Sequence, residues 1–447
     1  MRGNSSGARQ GSQTLTMSDI PDRPEPGYFT GRRVLLLQGP VGPFFSRLAR
    51  DLEKAGASVR KINFNGGDWL FYPDADMNFR GDLREWRSVL SERLAAWDID
   101  TVFLYSDCRS IHEILFSLEG HETLEIFTFE EGYFRPDHVT LERGRTNAFS
   151  RIPRDPDFYS RLTAEPPETR RVGYSFLHLA LWGIIYHLAA GLLRPLLPAR
   201  TYHRGLGFRE IMPQIRSYWR KLRYWWTERH LRTRLLREHA GDFFLVPLQV
   251  GLDSQIRCHS RYGPNGIGSF IAEVTRSFAR YAPPDTLLVF KHHPLDRGYA
   301  DYAEIIDNLR ARYPNLAGRL LYVHDCHLPD LLDAARGVVV INSTVGLSAI
   351  IHERPVKVHG GRAFYDMCGL TAQVSLDAFW KRAEEFRPDP ELVRRFQAYV
   401  IRKTQINGNF YRKCRGSTLR CGLLWNDDEP GALTAPATTR NATLDGS

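Results

Sequence analysis

Cysteine is scarce in this chain: six among 447 residues, at Cys108, Cys258, Cys326, Cys368, Cys414 and Cys421. No two form a CxxC pair, and Cys414 and Cys421 stand seven apart, outside the usual zinc-ligand spacings. Such scatter suits free thiols in a reducing compartment. The N-terminus lacks the apolar core of a secretory signal. Residues 1–30 are rich in Ser, Gly, Pro and Gln and read as a disordered tail, with Met17 as an alternative start. Residues 427–447 are similarly polar and read the same way. No P-loop or GxGxxG fingerprint occurs, and no GxSxG elbow stands between a strand and a helix, so kinase, dehydrogenase and hydrolase chemistry lose support. No metal is expected at the site. Helix-turn-helix, RRM and zinc-finger patterns are missing, so nucleic acid is not an expected partner. No internal repeat is visible.

What is present is a globular composition, 43% hydrophobic and 25% charged, in a chain too long for one core. A formal charge of +9 favours anionic partners: acidic lipid, or phosphorylated or acidic sugars. The apolar run Val34–Leu37 ends in a Gly39-Pro40 turn. Apolar residues then recur at helical spacing (Phe44, Phe45, Leu48, Leu52, Ala55), with Gly56 as C-cap and "SVRKINF" as the next strand. Strand signals return near residues 100 and 126. A second alternation starts at "DFFLVPLQV" and runs through "TLLVF", "LLYVH", "GVVVINS" and "PVKVHG", with helical spacing between them. The expectation is α/β: two Rossmann-like domains, 31–155 and 241–385, facing a cleft, followed by C-terminal helices over 386–426.

Residues 156–240 read as a helical insertion. Val172 to Leu193 contains no Asp, Glu, Lys or Arg, and His178, His187 and two glycines interrupt its apolar run. The stretch 199–240 is the most basic of the chain, with Trp219, Tyr224, Trp225 and Trp226 interleaved among arginines. An apolar helix beside a basic aromatic one predicts contact with an anionic membrane surface, without crossing it.

Ligands of such sheets sit beyond the carboxyl ends of the strands. "PLQVGLDSQI" delivers Gln249 there, then Gly251 and Asp253, and an aspartate can act as nucleophile in glycosyl transfer. "LLVFKHHPLDRG" ends a strand with Lys291, His292 and His293 and fixes the turn with Pro294, which predicts a cradle of cations for a phosphate. "VVVINSTVGLSAI" puts Asn342, Ser343 and Thr344 between a strand and a helix N-terminus, where an anion is favoured. In "FEEGYFRPDHVTLE", Glu130 and Glu131 end a strand before Gly132, with Arg135 in reach. A carboxylate at the mouth of a cleft can deprotonate an acceptor hydroxyl.

"QGPVGPFFSRLARDLEKAGASVRKINFNGGDWLFYP", "EEGYFRP", "PLQVGLDSQI", "KHHPLDRG" and "NSTVGLSAI" occur in this order. Together they resemble the bacterial capsule polysaccharide biosynthesis proteins that act as retaining β-Kdo transferases, Kdo being 3-deoxy-D-manno-oct-2-ulosonic acid. The resemblance covers roughly residues 31–425, and the first motif is that of the short, single-module member, which starts the Kdo linker on a phosphatidylglycerol-type lipid. It implies a GT-B-like architecture, CMP-Kdo as donor and no cofactor. By the resemblance, Asp253 is the nucleophile, Glu130 the acceptor-side carboxylate with Glu131 in reserve, and Gln249 sets the Gln-x-x-x-Asp pattern. His293, with Lys291, His292 and Pro294, meets the CMP, while Asn342, Ser343 and Thr344 hold its phosphate. Gly39, Asn65 and Arg135 take acceptor-side or structural roles. It further implies a place at the cytoplasmic face of the inner membrane, among other capsule synthesis and ABC-exporter proteins. The alternative is a non-catalytic, membrane-associated scaffold of that complex.

Overall fold

A computed structural model describes residues 27–173, 175–198, 200–201, 211–251, 254–263 and 266–425. Twelve strands carry the architecture: β1 Arg33–Leu36, β2 Ser58–Asn63, β3 Met77–Asn78, β4 Thr101–Tyr105, β5 Glu125–Glu131, β6 His138–Arg143, β7 Phe243–Pro247, β8 Leu287–Lys291, β9 Leu320–Val323, β10 Gly337–Val340, β11 Val356–Val358 and β12 Gln405–Asn407. They form two sheets, ordered β12-β6-β5-β4-β1-β2-β3 and β11-β10-β7-β8-β9. Counting within each unit, the parallel strands follow the order 3-2-1-4-5 in both, the doubly wound arrangement expected from the alternation of strands and helices.

Each central strand is buried on both faces, which is why it reads as an unbroken apolar run. In β1 and the residue after it, Val34 and Leu36 face one core with Phe44, Leu48, Phe103 and Phe127, while Leu35 and Leu37 face the other with Ile62, Trp86 and Leu104. The second sheet alternates likewise, Phe243 and Leu245 to one side, Phe244 and Val246 to the other. Side chains of this size, fully buried, contribute roughly 1.5–3 kcal/mol each.

The segment expected to end the chain in helices holds one long helix, Pro390–Thr404, and then crosses back to the first sheet. There β12 pairs antiparallel with β6, which itself runs antiparallel to β5. Phe410, Leu423 and Trp425 fill the N-terminal core, and the Asp51 carboxylate accepts from the backbone N–H groups of Arg420 and Cys421 at 2.9 and 2.8 Å.

The single expected insertion is divided between the two domains. Helix Phe176–Leu192 lies on the N-terminal domain, against glycines that leave it room. A Cβ on Gly67 would come within 2.6 Å of the Tyr186 ring, and one on Gly66 within 2.6 Å of the Leu193 Cβ. The Tyr186 hydroxyl donates to Asp68 at 2.8 Å. Helix Ile211–Thr227 lies instead on the C-terminal domain, its Pro213 carbonyl pressed on Gly298. Arg220 was expected to face a membrane, but it donates to the carbonyls of Arg297 and Ala300 at 2.9 and 3.3 Å and pairs with Asp301 at 3.3 Å. Tyr224 stacks on His324 with centroids 3.7 Å apart. Glu228 accepts from the backbone of His324 and Asp325, both at 2.8 Å. Among the described residues no helix is long and apolar enough to cross a membrane.

Candidate active-site cleft

In a sheet of this order the crevice opens where the chain reverses direction, between the first and fourth strands. In the C-terminal domain these are β7 and β10, and the side chains just beyond them meet. The Gln249 Nε2 donates to the Asn342 Oδ1 at 3.2 Å, and the Asn342 N–H to the Gln249 Oε1 at 3.4 Å. Ser343 Oγ accepts from the Val345 N–H at 3.2 Å, while Thr344 precedes the short helix Val345–Ile351. The Ser343 carbonyl is held by the Tyr365 hydroxyl.

Beside this pair lies the histidine turn at the end of β8. Pro294 opens a short 3-10 turn, Pro294–Asp296, and His293 caps it, its Nδ1 accepting from the Leu295 N–H at 3.1 Å. His292 takes the opposite direction: it is buried, its Nδ1 sits 2.6 Å from the Tyr322 hydroxyl, and its ring centroid lies 5.1 Å from that of His324. The doubled histidine therefore divides, one residue at the turn and one behind it. Asp296 joins this turn to the Gln249 loop, accepting from the Gly251 N–H at 3.4 Å and the Tyr302 hydroxyl at 3.3 Å.

The expectation of three cations needs correction. Burial drives His292 down to about 3 and His293 to about 4, and also lowers Lys291. Both imidazoles are neutral near pH 7, so the two rings offer neutral polar groups rather than charge. Desolvation leads, because a charged ring loses its water there. Lys291, Arg135 and Arg297 depress His293 further. The Arg135 contribution is informative, since it puts an N-terminal side chain electrostatically against the C-terminal turn.

On the N-terminal wall, Glu130 and Glu131 alternate across β5. Glu131 is tied down, its Oε1 accepting from the hydroxyls of Tyr105 at 3.2 Å and Tyr411 at 2.8 Å. Those two phenols bind it in place as part of the domain. Glu130 lies on the other face, and its Oε1 accepts from the Glu131 N–H at 3.1 Å. Gly132 is required because a Cβ there would come within 2.1 Å of the His138 carbonyl oxygen. Arg135 Nε donates back to that glycine's carbonyl at 3.0 Å. Asn65 is wholly buried and structural. It caps helix Gly66–Phe71 through the Gly67 and Asp68 N–H groups and donates to the Tyr186 hydroxyl at 2.7 Å. Gly39 is likewise structural: its carbonyl accepts from Arg109 at 3.0 Å, and a Cβ would meet the Phe45 ring at 2.7 Å. Asp253 lies outside the described residues.

Sequence reasoning passed over several groups here. Glu142 is buried, accepts from Tyr133 at 2.6 Å and from the Ser150 hydroxyl at 2.5 Å, and is pushed up to about 7 by desolvation. Tyr133 in turn stacks on Phe364 of the other domain at 4.1 Å. Asp107, Cys108 and Arg109 follow β4 in "YSDCRS". The strand-end rule that singled out Gln249 and His293 applies to them equally.

The family model described as "Capsule polysaccharide biosynthesis protein" matches residues 100–411. The chain is 40% identical over 400 residues to the capsule polysaccharide export protein KpsS of Escherichia coli, covering 86% of this chain and 97% of that protein. It is 39% identical over 393 residues to the capsule polysaccharide modification protein LipB of Neisseria meningitidis serogroup A, covering 86% and 92%. Among solved structures, it is similar to KpsC of Thermosulfurimonas dismutans, a beta Kdo 2,7 transferase, with 15% identity, a TM-score of 0.39 and coverage of 85% and 94%.

Proposed function

Since the chain belongs to the capsule polysaccharide biosynthesis family, we propose that it is a glycosyltransferase moving Kdo from CMP-Kdo to a phosphatidylglycerol-type acceptor with retention. The observation that carries this reading is the C-terminal crevice, where Gln249 and Asn342 bond to each other beside the His293 turn. Neutral amides and an imidazole at a strand end suit a nucleotide monophosphate. In this reading Ser343 and Thr344 lie near the donor phosphate. The Asp253 carboxylate attacks the anomeric carbon of Kdo and expels CMP, forming a glycosyl-enzyme. The acceptor hydroxyl, losing its proton to Glu130, then attacks the same carbon and releases Asp253. Two inversions give net retention.

A lipid acceptor agrees with two apolar helix faces that the domains leave uncovered. On Phe176–Leu192 they are Leu177, Leu181, Ile184 and Leu192; on Ile211–Thr227 they are Met212, Ile215, Trp219, Leu222 and Trp226. In the second helix Lys221 and Arg223 are also exposed, and their ammonium and guanidinium groups would reach lipid phosphates. We place the enzyme at the cytoplasmic face of the inner membrane, working with other capsule synthesis and export proteins. Incubation with CMP-Kdo and a lysophosphatidylglycerol analogue tests the reading through acceptor-dependent release of CMP. A scaffold releases none.

A further inference from the structure

The end of β4 in the N-terminal sheet carries a second constellation, which the transfer chemistry does not use. Directly beyond β4 stand Asp107 and Cys108. Facing them from the other domain are Cys258 and His259, the last two residues of helix Ser254–His259. Two adjacent pairs, about 150 residues apart in sequence, thus meet across the domain boundary. Cys108 Sγ lies 3.0 Å from His259 Nε2. One ligand atom from each of Asp107, Cys108 and His259 can be chosen so that all lie within 4.8 Å of one another. The Cys258 thiol hydrogen-bonds that of Cys108 and also approaches Glu113 Oε1 at 3.1 Å.

The surroundings are those of a built site. Asp107 and Cys108 are fully buried and His259 is 8% exposed, yet His259 Nδ1 has no hydrogen-bond partner. A buried polar atom without a partner costs about 1–3 kcal/mol, so this imidazole is not positioned for stability alone. Asp107 is oriented from behind by Arg145 Nε at 2.8 Å and by the Thr146 hydroxyl at 3.2 Å, as ligating carboxylates are. Arg145 is itself fixed 3.9 Å over the Phe149 ring, which packs on His259 at 4.4 Å.

We propose that Asp107, Cys108, Cys258 and His259 bind one zinc ion, which fastens the two domains across the cleft. Two sulfurs, one imidazole and one carboxylate are a donor set for zinc rather than for magnesium or calcium. Binding releases the two thiol protons to solvent. The charges of a divalent ion, two thiolates, the Asp107 carboxylate and the Arg145 guanidinium then cancel, so the buried cluster is neutral. This site is independent of the donor assignment.

The test uses the full-length protein, reduced, stripped with chelator and titrated with Co²⁺. One equivalent should produce thiolate-to-cobalt charge-transfer absorption and the intense visible bands of tetrahedral cobalt, and one equivalent of Zn²⁺ should bleach them. Cys108→Ser and His259→Ala should each weaken Co²⁺ binding at least ~10-fold, whereas Cys368→Ser, an exposed control, should not. Thermal unfolding of the unmutated protein should shift upward with Zn²⁺ concentration, which tests the idea even if a variant fails to fold. The proposal is overturned if stoichiometric Co²⁺ gives no such bands, if they survive in Cys108→Ser, or if peptide mapping finds Cys108 and Cys258 joined as a disulfide.

Discussion

The two sheets share one strand order but use their crevices in opposite ways. In the N-terminal sheet the crevice is closed by the protein itself. Arg109 donates to Gln38 Oε1 at 2.9 Å and to the Gly39 carbonyl at 3.0 Å, and it lies 4.9 Å over the Tyr105 ring. In the C-terminal sheet the corresponding place holds two amides bonded weakly to each other and, beside them, an imidazole kept neutral by burial. A guanidinium bonded to a carbonyl is spent, whereas a neutral amide and imidazole can turn to a ligand at small cost. Topology alone therefore does not say which crevice binds. The partners of the polar groups at the strand ends distinguish the two, and they support the proposal that the C-terminal domain is the donor side.

The largest effect that would sharpen this contrast comes from Asp253, the proposed nucleophile. Asp253→Ala should lower transfer by several orders of magnitude while CMP still binds, as read by CMP release alongside calorimetric titration. Turnover near that of the unmutated protein would remove it from the mechanism.

Next come the divided histidines. His293→Ala should weaken CMP binding by on the order of 1.5–3 kcal/mol, roughly ten- to a hundredfold. His292→Ala should lower thermal stability while leaving CMP affinity nearly unchanged, because its ring faces Tyr322 and His324. A reversal of these two results would mean that the turn presents the other ring.

Glu142 breaks the comparison from the N-terminal side through pH. Its folded pKa of about 7 lies above the ordinary 4.5. Its contribution to stability is thus complete below about 4.5 and is lost as pH rises to about 7. Glu142→Gln, which keeps a hydrogen-bonding side chain, should gain stability relative to the unmutated protein across that window, by at least about 1 kcal/mol. Urea unfolding at pH 4.5, 6 and 8 measures it, and a difference that stays constant with pH would show Glu142 to be an ordinary carboxylate. His259, His292 and His293 act oppositely, since their lowered pKa values remove stability as pH falls from about 6.5 toward 4; they are common to both proteins and cancel in the difference.

The smallest expected effect concerns the two helices that the domains divide between them. Lys221→Glu with Arg223→Glu should reduce sedimentation with phosphatidylglycerol vesicles at low salt by roughly 1 kcal/mol per residue. Arg220→Glu should instead lower stability, because Arg220 holds the helix to residues 297–301. Vesicle binding indifferent to both charges would leave the exposed apolar arcs without a lipid partner.

Much of this fold was legible in the sequence because its central strands are buried on both faces and so appear as apolar runs such as "FFLVP" and "GVVV". β12 was not: its three residues, Gln405–Asn407, pair with β6 from more than 260 positions away and carry no local pattern. Gln249, Asn342 and His293 could be read from the strand-end rule alone. The direction of each histidine could not, because it depends on Tyr322, which arrives from β9. The same limit hid the use of Arg220, and the meeting of Cys108 with His259. A charge or a thiol is visible in a sequence, but the group that occupies it is set by packing.

The central claim is that the C-terminal crevice binds CMP-Kdo for transfer to lipid. Its most direct test is the time course of CMP release from CMP-Kdo, with and without lysophosphatidylglycerol, followed by mass analysis of the lipid. The account predicts acceptor-dependent release, a lipid heavier by one Kdo in β-linkage, and no requirement for added magnesium or manganese. Release that ignores the lipid, or none at all under conditions where the protein is folded and binds CMP, would contradict it.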